Sequence, residues 1–492
     1  MKILFAASEA YPLVKTGGLG DVIYSLPRAL QKEGAEVRVI LPAYRLVLEQ
    51  MSQLHIAGWL QVQGAGRMHD VRILETSDRH LGVPLLLVDA PALFDRPGNP
   101  YLHPDGYNWH DNAERFTVFS RAVARLSGNA DLLEWKPDVV HCHDWQTGLV
   151  PALVSLEAEP PASIYTIHNL SYAGVFSHEE FERLDLPREW WSTHLMEFFG
   201  NFSMLKAGII FADHITTVSP TYAEEIQTPG FGYGFDGVLR AMKHKLTGIL
   251  NGIDQEVWNP ATDSYLPYHY SLKHHYMAGK RKNKEALLRQ SGLEPSEQDL
   301  DTPLAGFIGR LVEQKGIDLL LDALPALMDK HDLRLVVLGS GEHHFENALR
   351  ELAALYPERV LVTLGYSEEL AHRIEAASDL FVMPSRFEPC GLNQLYSLRY
   401  GTPPVVHAVG GLADTVVDAT PENIEAGRAT GFVFDHPSPE ALTGALERAL
   451  ELYRQPNTWR RLVRTAMSQD FGWTHSARQY MELYERVSAV RA

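Results

Sequence analysis

Three stretches of this chain combine glycines with cations or a carboxylate at spacings that suit a phosphorylated ligand. Lys15-Thr16-Gly17-Gly18-Leu19-Gly20-Asp21 lies between a strand-length apolar run, Lys2 to Ala7, and a segment with helical apolar spacing, Leu19 to Gln31. Glycines at 17 and 18 allow left-handed backbone angles, so a ligand could approach the main chain where helix N–H groups, the positive helix end and Lys15 converge. A plain tight turn explains the same glycines, and the stretch fits neither common nucleotide fingerprint. Gly309 to Gly316 offers Arg310, whose guanidinium can grip phosphate oxygens bidentately, and Lys315, a point charge. Pro384 to Leu392 links a strand to a helix beginning near Cys390 to Leu392 and projects Glu388 from the turn; Gly410-Gly411-Leu412 repeats the strand, glycine turn, helix theme.

Polar residues that close strands are the next candidates. His141, His143, Asp144 and Trp145 end one apolar run, and His168 and Asn169 end another. The histidine pair could bind a metal, but no third and fourth ligand of known spacing accompanies it, and hydrogen bonding at a strand end explains it better. Phe94 to Tyr101, rigidified by prolines, and Thr228 to Gly237, rich in glycines and aromatics, read as binding loops whose rings could stack on a sugar or pack back on the domain.

The elements that must position these residues are short Val/Ile/Leu runs alternating with helices. In the first half they are Lys2–Ala7, Glu36–Leu41, Val83–Asp89, Asp138–His143, Ser163–His168 and His214–Ser219, and in the second half Leu304–Ile308, Arg334–Leu338, Val360–Leu364, Leu380–Met383 and Val405–Ala408. Such alternation predicts parallel sheets covered on both faces, with ligands at the carboxyl ends of the strands. The 492 residues are too many for one core, so two doubly wound domains with a cleft between them are expected, at 1–250 and 251–471. Lys280 to Lys284, a charge run, reads as a solvated helix face.

With 62 acidic against 44 basic residues the net charge is −18, which argues against a nucleic-acid or anionic-membrane partner and makes any local pairing of basic residues more telling. Only Cys142 and Cys390 occur, so no disulfide framework is implied. No leader pattern opens the chain and no apolar run reaches membrane-spanning length; a soluble, cytoplasmic protein is expected.

Lys15-Thr16-Gly17-Gly18-Leu19-Gly20-Asp21-Val22, Gly309-Arg310, Gln314-Lys315-Gly316 and Ser385 to Leu392 together carry a specific resemblance. The chain resembles the bacterial glycogen synthases, kin of plant starch synthases, over essentially its whole length. That resemblance implies the GT-B fold: two Rossmann-like domains facing each other, the last helix, 472–492, crossing back to the first, and a hinge near Asn251 and Asp470 to Gly472. It implies transfer of glucose from ADP-glucose to the non-reducing end of an α-1,4-glucan with retention, and no metal or cofactor. By the same resemblance Arg310, Lys315, Lys15 and the Gly18 backbone hold the diphosphate, Glu388 meets the glucose hydroxyls and the charge developing on the sugar, and His168 contacts the sugar. Tyr366 stacks on adenine; Cys390, Gly391, Leu392, Gly410, Gly411 and Leu412 line the donor; Asp21, Phe94, Asp144, Gln146 and Asn251 match acceptor-side positions. Phe94, where relatives often have Tyr, and Gln146, where His is common, both fall on the acceptor side.

Retention allows a double displacement through an enzyme nucleophile or attack on the face the leaving group vacates; without an unambiguous second carboxylate to pair with Glu388, the same-face route is favoured. A nucleotide-sugar epimerase on the same fold and a non-catalytic glucan-binding protein are the alternatives.

Overall fold

Most of the apolar runs are strands buried on both faces, Val360–Leu364 being half-exposed, and most are followed by a helix. The structure is a computed structural model and describes residues 1–76, 80–129 and 132–491; Ala492, the last residue of the expected C-terminal helix, lies outside them. The chain divides into two units, Met1–Asn251 with Trp473–Ala492, and Gly252–Gly472.

The first unit is built on a nine-stranded sheet of β1 (Lys2–Ala6), β2 (Glu36–Pro42), β3 (Leu54–Gln63), β4 (Met68–Thr76), β5 (Leu85–Asp89), β6 (Val139–His143), β7 (Ala162–Ile167), β11 (His214–Thr217) and β12 (Leu246–Gly248). A separate small sheet joins β8 (Val175–Phe176), β9 (Glu197–Phe198) and β10 (Asn201–Ser203). The large sheet runs β12-β11-β7-β6-β1-β2-β5-β4-β3 and is parallel except for the two ladders of β4. The β3–β4 hairpin was not among the sequence-predicted strands: the register of β3 shifts between Ile56 and Gly58, so its apolar residues change face part-way and no clean alternation remains.

Helix Trp473–Arg491 belongs to this unit. It packs on helix Gly18–Lys32 and on β7, and Tyr484 Oη meets His141 Nδ1 at 2.7 Å. Ser476 Oγ donates to the Leu250 carbonyl at 2.5 Å, and Arg491 pairs with Asp213 at 2.8 Å.

The second unit holds six parallel strands in the order β15 (Val360–Leu364), β14 (Arg334–Gly339), β13 (Leu304–Ile308), β16 (Leu380–Met383), β17 (Pro404–His407) and β18 (Phe432–Phe434). The segments where the chain enters and leaves this unit run side by side: Ile253 N–H donates to Phe471 O at 2.9 Å and Gln255 Nε2 to Asp470 Oδ1 at 2.9 Å. In both sheets the order reverses beside the first strand of the unit, between β1 and β6 and between β13 and β16. This is where open α/β sheets leave a crevice at the strand ends.

The charge run Lys280 to Lys284 is not a solvated face. Lys280 and Lys284 are 5% and 2% exposed, on the inner side of helix Tyr276–Gln290. Lys280 Nζ donates to the carbonyls of Ala376 and Tyr400 at 2.9 and 3.1 Å and to Thr402 Oγ1 at 2.7 Å. Lys284 Nζ pairs with Asp379 at 2.7 Å and donates to the carbonyls of Leu300 and Thr302. Burial pulls the Lys280 ammonium down to about 7, yet its donors satisfy carbonyls that lie where helices end. Removing them leaves those oxygens unpartnered, so Lys280→Ala is expected to destabilise the second unit by about 2–3 kcal/mol. The exposed Lys282→Ala is expected to change the urea midpoint hardly at all; equal midpoints for the two variants would contradict this reading.

Candidate active site

In the first unit, the three neighbouring strands β7, β6 and β1 bring His168, Asp144 and the Lys15 loop to one edge of the sheet. The loop after β1 is held by a residue that the sequence reading did not single out. Glu9, 3% exposed, accepts from Thr16 N–H at 2.7 Å, Thr16 Oγ1 at 2.5 Å, Gly17 N–H at 3.3 Å and Tyr101 Oη at 2.5 Å. The amides of Thr16 and Gly17 are thus committed to a carboxylate, leaving Gly18 and Leu19 as the next amides at the start of helix Gly18–Lys32.

The glycines of this loop also behave differently from expectation. Gly17 is extended, at φ −159°, and Gly18 is helical, so neither uses the left-handed region. Their contribution is space, because a Cβ at either position would meet nothing within 4 Å. Lys15 Nζ pairs with Asp21 at 2.8 Å, both side chains partly exposed.

Asp144 follows β6 with φ 60° and ψ −175°, a region nearly confined to glycine and costing about 1–3 kcal/mol for other residues. The strain puts its carboxylate under the next strand end, where it accepts from His168 N–H at 2.8 Å. Burial pushes the Asp144 carboxyl up to about 7 and pulls the His168 imidazole down to about 3, so His168 is neutral across the physiological range. His168 Nε2 meets His143 Nδ1 at 2.9 Å. Among the described residues no group of three or more His, Cys, Asp or Glu is placed to hold a metal ion.

The remaining acceptor-side candidates do not come together at the surface. Phe94 is fully buried, packed against Tyr44 and Phe116 with the Arg115 guanidinium 5.4 Å from its ring centre, so it shapes the base of its loop. Gln146 is 5% exposed in the turn Trp145–Thr147, and Asn251 is 8% exposed. In the glycine-rich loop, Phe235 is buried against Phe198 while Tyr233 is 48% exposed.

In the second unit, neighbouring strands β13, β16 and β17 carry the other half of the candidates. Lys315 Nζ and Glu388 Oε2 form an ion pair at 2.7 Å, and Ser385 Oγ donates to the same oxygen at 3.0 Å. Glu388 is 6% exposed. Three backbone approaches fix this geometry. Gly316, at φ 71°, lies so near Pro384 that a Cβ would sit 2.1 Å from its carbonyl oxygen. Gly410, at φ 46°, would place a Cβ 1.8 Å from the Glu388 carbonyl, and Gly411 N–H donates to the Glu388 and Pro389 carbonyls. The helix after this turn starts at Asn393, slightly later than the sequence suggested, with Cys390 buried and Gly391 at φ 74° before it. Leu412 is fully buried and its amide closes onto the Val409 carbonyl.

Arg310 Nη2 donates to Gln314 Oε1 at 3.2 Å, and Gln314 Nε2 donates in turn to Phe387 O at 3.1 Å. Arg386, inside the same motif, faces away from this chemistry into a bidentate pair with Asp318 at 2.7 Å. Tyr366 follows β15, two strands from β13, is 75% exposed and meets Glu368 through its hydroxyl.

Family models match both units: the starch synthase catalytic domain over residues 2–241 and glycosyl transferases group 1 over residues 291–466. A glycogen synthase from Hydrogenovibrio crunogenus is 53% identical over 99% of both chains, and glycogen synthase 1 from Methylococcus capsulatus is 52% identical over 99% of this chain and 97% of its own. The chain belongs to the glycogen synthase family. A solved starch synthase IV catalytic domain from Arabidopsis thaliana, bound to ADP and acarbose, superposes with a TM-score of 0.87 at 34% identity over 99% of each chain. Glycogen synthases are glycosyltransferases of the GT-B fold, and this hexosyltransferase shares both the chemistry class and the architecture.

Glu9 is expected to hold the Lys15 loop of this glycogen synthase family member in place. Bonds to a carboxylate contribute about 1.5–3 kcal/mol each, so Glu9→Ala should speed amide hydrogen exchange at Thr16 and Gly17 by at least about tenfold. Unchanged exchange at both amides would show that the loop holds itself.

Proposed function

We propose that the protein transfers glucose from ADP-glucose to the non-reducing end of an α-1,4-glucan, with retention at the anomeric carbon and release of ADP, and needs no metal or other cofactor. The carrying observation is the Lys315–Glu388 pair, set by strand-end turns beside Arg310. Departure of ADP builds negative charge on the diphosphate while positive charge develops on the sugar. A fixed cation and a fixed carboxylate side by side match that separation better than they match the neutral substrate bond. The ADP and acarbose held by the plant relative support a nucleotide donor and a glucan-like acceptor.

In this reading Arg310 and Lys315 hold the diphosphate, with Lys15 and the Gly18 amide of the first unit proposed for the donor as well. Glu388 accepts hydrogen bonds from glucose hydroxyls and opposes the oxocarbenium charge. His168 contacts the sugar, the exposed ring of Tyr366 stacks on the base, and the turns at Cys390 to Leu392 and Gly410 to Leu412 line the donor. Asp21 and Asp144 are proposed for the acceptor. In the same-face route the bond between C1 and the phosphate oxygen breaks, the acceptor hydroxyl bonds to C1, and its proton passes to the departing phosphate. No side chain then needs to form a covalent intermediate, which fits a Glu388 already engaged by Lys315 and Ser385. A cytoplasmic setting belongs to the proposal; it is supported by two buried cysteines that form no disulfide and by the lack, among the described residues, of a helix long and apolar enough to cross a membrane.

Purified protein given ADP-glucose and glycogen is expected to release ADP only when glucan is present. Arg310→Ala and Lys315→Ala should each lower kcat by about 10²–10³-fold, the usual loss when one preorganised charge-stabilising group is removed. Equal turnover with UDP-glucose would overturn the donor assignment, and conversion of the sugar nucleotide without glucan would favour an epimerase. A glucosyl adduct trapped on Glu388 would replace the same-face route by double displacement.

A further inference from the structure

The parallel register of β6 and β7 places His143 opposite Thr166, so His143 ends its strand beside His168, which follows the next one. His143 is completely buried, its ring packed against Phe5 at 5.3 Å and His141 at 4.2 Å. One ring nitrogen, Nδ1, meets His168 Nε2 at 2.9 Å; the other, Nε2, is buried without a hydrogen-bond partner. His141 offers no alternative, because its Nδ1 faces Tyr484 Oη at 2.7 Å and its Nε2 faces Thr166 Oγ1 at 2.6 Å. Burial holds both His143 and His168 neutral, so each ring carries one N–H and a single proton lies between them.

Two arrangements are possible. With its hydrogen on Nε2, His143 would bury an N–H that has no acceptor, and orphaned buried N–H groups are the rarer and costlier defect. With its hydrogen on Nδ1, His143 leaves only a lone pair unmatched and donates to His168. His168 then accepts at Nε2 and must carry its own hydrogen on Nδ1.

We propose that His143 is a positioning residue that fixes His168 as the Nδ1–H tautomer, so that the His168 ring acts as a neutral donor to an oxygen of the bound sugar nucleotide. The donation rests on the reading that His168 contacts the sugar; the tautomer does not. Asp144, which accepts the His168 backbone N–H, fixes the chain at that position while His143 fixes the ring.

Histidine-labelled protein, with the His168 signals identified by their loss in His168→Asn, gives the tautomer directly from nitrogen chemical shifts. A protonated Nδ1 and a bare Nε2 on His168 from pH 5 to pH 8 are expected; a protonated Nε2 overturns the proposal. His143→Leu removes the donor and should give His168 a mixture of tautomers with kcat lowered about tenfold, the worth of one oriented neutral hydrogen bond. His143→Asn keeps an N–H near the Nδ1 position and should restore both the single tautomer and most of kcat. If the leucine variant keeps a single tautomer and full kcat, His143 is packing alone. If the tautomer is as stated but His168→Ala turns over normally, the sugar contact fails and the proton arrangement stands. The spectrum of the unmodified protein decides the tautomer even where a variant fails to fold.

Discussion

Glu388 lies beside Lys315 because three turns approach one another more closely than any side chain permits. A Cβ on Gly316, Gly410 or Gly411 would fall within about 2 Å of a carbonyl oxygen, so the backbones of the β13, β16 and β17 loops touch directly. Direct backbone contact leaves little slack, and a carboxylate carried on such a turn cannot drift from the ammonium it opposes. Adjacent strands β13, β16 and β17 make the contact possible, since loops leaving neighbouring strand ends meet without crossing another element. The pair is therefore a property of topology as much as of the two side chains.

The first unit solves a related problem differently. Its loop after β1 is not clamped by close backbone contact, for Gly17 and Gly18 have open space where a Cβ would lie. Glu9 replaces contact with charge-assisted hydrogen bonds to two successive amides. The consequence is a rigid edge beside an open surface: the loop is held from behind, and the face with no Cβ remains available to a ligand.

Much of this was legible in the sequence. Six strands that carry most of the candidates, β1, β6, β7, β13, β16 and β17, are short apolar runs, the pattern expected of buried parallel strands. Glycines at 391 and 410 fell in the strand-to-helix turns that the sequence pattern marks, and the structure gives them, with Gly316, positive φ. What escaped notice is informative in the same terms. A lone Glu9 between strand and loop carries no periodic signal; its meaning depends on Tyr101, 92 residues away, and on a loop that folds back over it. Lys280 and Lys284 looked solvated because composition counts charges and cannot see carbonyls awaiting a donor inside a helix-rich core. Phe94 looked like part of a binding loop because prolines follow it, but it closes a short helix, Pro91–Phe94, whose inner side is core.

The two lysines proposed for the donor start from unequal positions, and the difference bears on how a diphosphate can be received. Lys15 and Asp21 are each about a third exposed, and an ion pair of that kind contributes at most about 1 kcal/mol, so Lys15 can leave Asp21 for a stronger anion at little cost. Glu388 is nearly buried, and stripping a buried carboxylate of its cation costs about 3–5 kcal/mol. In the proposed role Lys315 would keep Glu388 and offer its other N–H bonds to the ligand, since an ammonium has three donors. Under the proposed donor roles, Lys315 would bridge the carboxylate and a phosphate, and Lys15 would be the cation free to move, so the charge that must stay fixed while the bond breaks would be the one on the clamped backbone.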